Sequence, residues 1–107
     1  MEKIDLAVLQ HAAADACSLL KALANPDRLI LLCQMTQGEH CVAELEDLTG
    51  IKQPTLSQQL TVLREEKLVS TRREGKQIFY SIKSREAMIV LQVLYELYCS
   101  PYLEAKQ

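Results

Sequence analysis

Between Gly50 and Leu60 the chain reads Gly-Ile-Lys-Gln-Pro-Thr-Leu-Ser-Gln-Gln-Leu, and this stretch leaves few folds open. Gly50 closes an apolar-periodic segment, Pro54 is accommodated only in the first turn of a helix, and Leu56, Leu60 and Leu63 recur at i, i+4 and i+7. The pattern predicts helix, tight turn, helix. One leucine stripe of the second helix turns inward, leaving Thr55, Ser57, Gln58 and Gln59 in its first two turns. These short hydroxyl and amide side chains can hydrogen-bond base edges, as a DNA-recognition helix requires.

The flanking segments fall into place around that pair. Leu6, Leu9, Ala13, Ala16, Leu20 and Leu23 are spaced by three or four and form one apolar stripe on a long helix over residues 4–24. Asn25-Pro26-Asp27 supplies an N-cap, a proline for the first helical position and an acid at the positive helix end. A second helix is therefore predicted from Pro26 to about Met35, and its Ile30-Leu31-Leu32-Cys33 run implies a buried, central element. Thr36–His40 reads as a loop, and Val42, Leu45 and Leu48 mark a third helix that Gly50 caps. Lys52 and Gln53 are weak N-cap residues, so the start of the fourth helix rests on Pro54; it runs to about Lys67. Leu68–Arg72 and Gln77–Ile82 are β-prone runs around Arg73-Glu74-Gly75-Lys76, which predicts a hairpin with a basic tip. In the last helix, from about Ser84 to Tyr98, apolar residues cover most of the circumference. One small domain cannot bury all of them, so this helix is expected to pack on a second subunit as well.

A chain of 107 residues with 49% hydrophobic content is expected to form a single domain spanning 1–107. Its uninterrupted apolar run Leu29–Cys33 is five residues long and none is longer, against the roughly 18 needed to cross a bilayer. With no basic-then-apolar start either, a cytoplasmic location and no membrane partner are expected. Cys17, Cys33, Cys41 and Cys99 lie far apart with no CxxC spacing, which argues against a disulfide scaffold or zinc ribbon. The net charge of -2 conceals segregation: Lys52–Arg85 holds eight Lys or Arg against three Asp or Glu, a local +5. Such a segment can face phosphate while the remainder stays acidic, although an ordinary solvated surface has the same composition.

The order of four helices, a hairpin and a final helix (α-α-α-α-β-β-α) describes a mainly α, winged helix-turn-helix fold, whose last helix is expected to meet the same helix, or the first helix, of a second subunit. Its second motif helix enters the major groove, and the wing lies along phosphates or the adjacent minor groove. The candidate DNA contacts are Gln53, Thr55, Ser57, Gln58, Gln59 and Arg64, with Arg72, Arg73 and Lys76 on the wing. A two-fold dimer would present both units to operator half-sites about one helical turn apart. A winged-helix module that binds protein instead of DNA is the alternative of a different class. No Ser/His/Asp set, glycine-rich phosphate loop or paired carboxylates can be assembled, and His11 and His40 are isolated, so no enzyme and no cofactor are expected.

Leu20-Lys21-Ala22-Leu23-Ala24-Asn25-Pro26-Asp27-Arg28-Leu29, Leu56-Ser57-Gln58-Gln59-Leu60 and Leu63-Arg64-Glu65-Glu66-Lys67-Leu68-Val69, followed by the wing from Arg72 to Ser81, resemble the signature segments of ArsR/SmtB-type repressors. The resemblance implies a homodimeric repressor, with its first and last helices forming the interface, that leaves its operator when an inducer binds. This chain departs from the family in having Gln59 where a His is usual, which leaves the operator sequence open.

The family's zinc site on the last helix uses Asp, His and Glu, and Ser84–Cys99 contains no His, so no metal site is expected there. Cys41 sits alone where the family's arsenic and lead sites use several cysteines. It stands in for an N-cap Ser, or else serves an arsenite-, antimonite- or other thiophilic-ion-responsive repressor with Cys33 or Cys99. A helix N-terminus could also leave it reactive. By itself, a cysteine in an apolar helix is a small buried hydrophobe, and Cys17 is read so. Cys33 on the second helix and Cys99 at the end of the last one, however, resemble in position and separation the pair in the persulfide-sensing BigR/SqrR/HlyU-like subgroup. That resemblance implies redox-sensing by Cys33 and Cys99, reactive sulfur species as inducer, and release of DNA once a disulfide or polysulfide bridge joins them. Target genes would then serve sulfide oxidation or oxidative stress.

Overall fold

The computed structural model describes residues 3–105, and the elements begin where side chains capture free backbone N–H groups. α1 (Leu6–Leu23) opens on the Asp5 carboxylate, which accepts from the Ala7 N–H at 2.9 Å. α2 (Pro26–Met35) opens on the Asn25 amide oxygen, 3.0 Å from the Arg28 N–H, with Pro26 at its first position. α3 (Val42–Thr49) has Cys41 as N-cap, and Glu44 reaches back to accept from the Cys41 N–H at 2.9 Å. Gly50 closes it at φ 73°, a left-handed conformation that suits glycine. α4 (Thr55–Glu65) is followed by strands β2 (Val69–Glu74) and β3 (Gln77–Ile82), and α5 (Arg85–Leu94) by a π turn (Tyr95–Cys99) and α6 (Ser100–Ala105).

Leu31, Leu32 and Met35 of α2, Leu45 of α3, and Leu56, Leu60 and Leu63 of α4 fill one core with Tyr80, Ala87 and Leu91. The leucine stripe of α4 is thus anchored on the centre of the molecule, and its opposite face is open. The winged helix-turn-helix expectation holds, with additions. The loop after α2 ends in a short strand, β1 (His40–Cys41), which pairs antiparallel with β3 to make a three-stranded sheet of order β1-β3-β2. Two residues carry no readable period, and their partners Tyr80 and Phe79 are distant in sequence. Pro54 precedes α4 as its N-cap instead of occupying its first turn. The helix ends at Glu65, because Lys67 turns left-handed (φ 60°) and the Leu68 N–H closes onto the Leu63 carbonyl. The last helix widens at the π turn and continues beyond Tyr98.

α2 is less buried than its apolar run implied: Ile30 and Cys33 face outward. Cys17 is likewise exposed on α1 and is not the buried hydrophobe expected of it. Only Ala22 and Leu23 of α1 are buried, while Leu6 (67% exposed) and Leu20 (57%) stand free. Leu97 (60%) and Tyr98 (66%) do the same at the far end of the chain. By length and composition α1 is apolar enough to cross a membrane, which the five-residue limit on continuous runs did not foresee. Its apolar residues form one stripe with His11, Asp15 and Lys21 lying off it, a pattern suited to packing against another helix.

Candidate nucleic-acid interface and cysteine cleft

The reading face of α4 is built from what its leucine stripe leaves out. Ser57, Gln58 and Arg64 are exposed, and Thr55 is half-buried at the first helical position. Gln53 lies before the helix, and its amide oxygen accepts from the Ser57 N–H at 3.0 Å. It therefore supplies the cap that Pro54 lacks. Thr61, which the sequence reading passed over, is exposed one turn beyond Ser57 and donates its hydroxyl to the Ser57 carbonyl at 2.8 Å. Gln59 is set apart from this group. It is half-buried on the flank of the stripe, and its amide oxygen accepts from Arg28 Nη1 at 2.9 Å.

The wing is a hairpin whose strands are joined by Gly75 and Lys76 alone, Glu74 pairing with Gln77. Gly75 takes φ 62°, as a two-residue hairpin turn demands. Arg73 and Lys76 stand exposed at the tip, the Arg73 Nε donating to the Gly75 carbonyl at 3.1 Å. Arg72 is differently placed. Its guanidinium bonds Glu39 through two nitrogens and Glu74 at 2.8 Å, and lies 4.8 Å from the Phe79 ring centroid. The Arg72 hydrogen bond holds the Glu39 carboxyl below its ordinary range, and Glu39 and Glu74 keep the guanidinium charged. This clamp ties the wing to the loop before β1. It balances the charge that the sequence reading had assigned to phosphate. Among the nine candidate contacts, then, Gln53, Ser57, Gln58, Arg64, Arg73 and Lys76 are exposed with no carboxylate partner among the described residues.

The four cysteines are free thiols with different settings. Cys41 is buried at the start of α3, and its backbone N–H is the main cause that lowers the Glu44 carboxyl. Among the described residues no three His, Cys, Asp or Glu side chains are grouped to hold a metal. Cys33 and Cys99, by contrast, open onto one cleft of about 730 Å³ between the end of α2 and the last helix. Met88 and Leu91 form its apolar floor, and Gln34, Gln92 and Glu96 its polar margin. Cys99 reaches it from the π turn, a widened helical geometry frequent at functional sites. The Cys33 thiol is pushed above its ordinary value, first by burial and then by the neighbouring Cys99. A cleft walled by two separate helices, with one cysteine on each, is suited to joining those helices.

Comparison with known proteins bears on the fold and on its DNA-binding role. The family model described as "Bacterial regulatory protein, arsR family" matches residues 25–71, from the cap of α2 to the first wing strand. The Biofilm growth-associated repressor of Agrobacterium fabrum is 48% identical over 92% of this chain and 85% of its own length. The solved structure of the transcriptional repressor BigR from Xylella fastidiosa superposes with a TM-score of 0.83 at 45% identity, covering 90% of this chain and 98% of that one. Reduced HlyU from Vibrio cholerae superposes with a TM-score of 0.84 at 39% identity, covering 88% and 99%. With its fold, its reading helix and these relatives in agreement, the chain belongs to the arsR family as a DNA-binding transcriptional repressor of the BigR- and HlyU-like subgroup, not an enzyme.

Proposed function

We propose that the chain acts as a homodimer that holds operator DNA while Cys33 and Cys99 are thiols and releases it when a persulfide joins them. The observation that carries this reading is the shared cleft: two accessible thiols, one on α2 and one on the π turn, border the same space. The unpaired apolar stripes of α1 and of the π turn and α6 supply the surface for a second subunit.

The sulfur chemistry balances without an external oxidant, because the outer sulfur of a persulfide is itself the oxidant. The Cys33 thiolate attacks that sulfur of RSSH, forming Cys33–S–SH and releasing RS⁻. The Cys99 thiolate then attacks Cys33 Sγ, the S–S bond to the outer sulfur breaks, and HS⁻ leaves a Cys33–Cys99 disulfide. If a second persulfide first lengthens the chain by one sulfur, attack on the middle atom yields a trisulfide and HS⁻. Either product ties α2, which packs beneath α4, to the helix that meets the other subunit. A small shift there carries the reading helices out of register with their half-sites, and losing a few phosphate contacts per protomer lowers affinity by orders of magnitude.

Mass spectrometry of the dimer treated with glutathione persulfide tests this. The expected product is a Cys33–Cys99 crosslinked peptide pair within one protomer. Persulfidation of both residues without a crosslink would sink the mechanism.

A further inference from the structure

Arg28 occupies a place that helix electrostatics disfavours. It lies in the first turn of α2, where free N–H groups concentrate positive charge and repel a cation. Its guanidinium is engaged elsewhere: Nε donates to the Ala22 carbonyl at 2.6 Å, Nη2 to the Lys21 carbonyl at 3.0 Å, and Nη1 to Gln59 Oε1 at 2.9 Å. The first two acceptors are carbonyls in the last turn of α1, where helix geometry leaves oxygens without a partner. The third belongs to α4. A guanidinium only donates, so the Gln59 atom facing it is the oxygen and the amide orientation is determined. One side chain thus connects the end of α1 to the recognition helix without passing through a flexible loop.

From this we infer that Arg28 and Gln59 are positioning residues for operator binding. Together they form a strut that fixes α4 relative to α1 and thereby sets the separation of the two reading helices in the dimer. Gln59 serves the operator through Arg28 and touches no base. The inference rests on the reading of α1 as part of the subunit contact. It is independent of the cysteine chemistry.

The test uses reduced protein and a duplex that the wild-type chain selects from a random pool, prepared with two half-sites and with one. Gln59→Met removes the acceptor at similar side-chain length; Gln59→Glu retains it. A charge-assisted hydrogen bond changes an equilibrium about tenfold. Gln59→Met should accordingly lower affinity for the two-half-site duplex about tenfold, leaving half-site affinity and the preferred base at every position unchanged. Gln59→Glu should restore the ratio of the two affinities. The strut is overturned if Gln59→Met alters a base preference, if both duplexes lose affinity equally, or if Gln59→Glu fails to restore the ratio. Sedimentation of the wild-type chain separates the premises: a monomer overturns the subunit contact and the strut together, and a dimer leaves the affinity ratio to judge the strut alone.

Discussion

Each wing carries three cations, and their different settings make the salt dependence of DNA binding a sharp test of the interface. Arg73 and Lys76 have no carboxylate partner among the described residues, whereas Arg72 is bound by Glu39 and Glu74. Every phosphate neutralised contributes about 0.9 to the slope of log affinity against log salt, and a dimer carries each residue twice. Arg73→Gln or Lys76→Gln should therefore reduce the slope by about 1.8, and the double substitution by about 3.6. Arg72→Gln should change it by less than about 0.5, since its charge is already compensated inside the protein. Fluorescence anisotropy with a selected duplex, between roughly 50 and 300 mM salt, resolves differences of this size. The reasoning is refuted if Arg72→Gln lowers the slope as much as Arg73→Gln. It is equally refuted if the double variant keeps the wild-type slope, the outcome expected of a wing that serves protein contacts.

Other expectations follow from packing, assembly and thiol chemistry. Leu60, 1% exposed between Leu56 and Leu63, anchors the recognition helix; Leu60→Ala should cost about 2–5 kcal/mol in urea unfolding, and a loss below about 1 kcal/mol would contradict that anchoring. Leu20→Glu or Leu97→Glu should convert a dimer to a folded monomer in sedimentation with helical circular dichroism retained, and a persistent dimer would show that these stripes are not the contact. Because burial and then Cys99 hold the Cys33 thiol above its ordinary value, its alkylation rate should rise about tenfold per pH unit upward from neutrality. Cys99→Ser removes the second cause, so the Cys33 pKa falls and alkylation at neutral pH accelerates; a slower reaction would contradict the coupling.

Helices α1 to α4 and the wing were legible because each has a local signature: the Asn25-Pro26 cap, Gly50 at a left-handed C-cap, the leucine stripe of α4, and the two β-prone runs around Gly75. The pairing of β1 with β3 was not legible, since two residues have no period and their partner strand lies far along the chain. Nor was the π turn, which interrupts an otherwise helical pattern and brings Cys99 to the cleft. Among site residues, Ser57 and Gln58 could be read from their place opposite the leucines. The engagement of Arg72 by Glu39 is a contact between distant segments that neither residue advertises. Arg28 did leave a signal, a cation in the first turn of a helix, whose meaning emerges only once Gln59 lies beside it.

The most direct test is operator affinity before and after glutathione persulfide, in wild type, Cys33→Ser and Cys99→Ser. The dithiol account predicts that wild-type affinity falls by at least about tenfold and recovers on reduction, while each serine variant keeps its affinity through treatment. Undiminished operator binding by wild-type protein in which Cys33 and Cys99 are fully modified would contradict it.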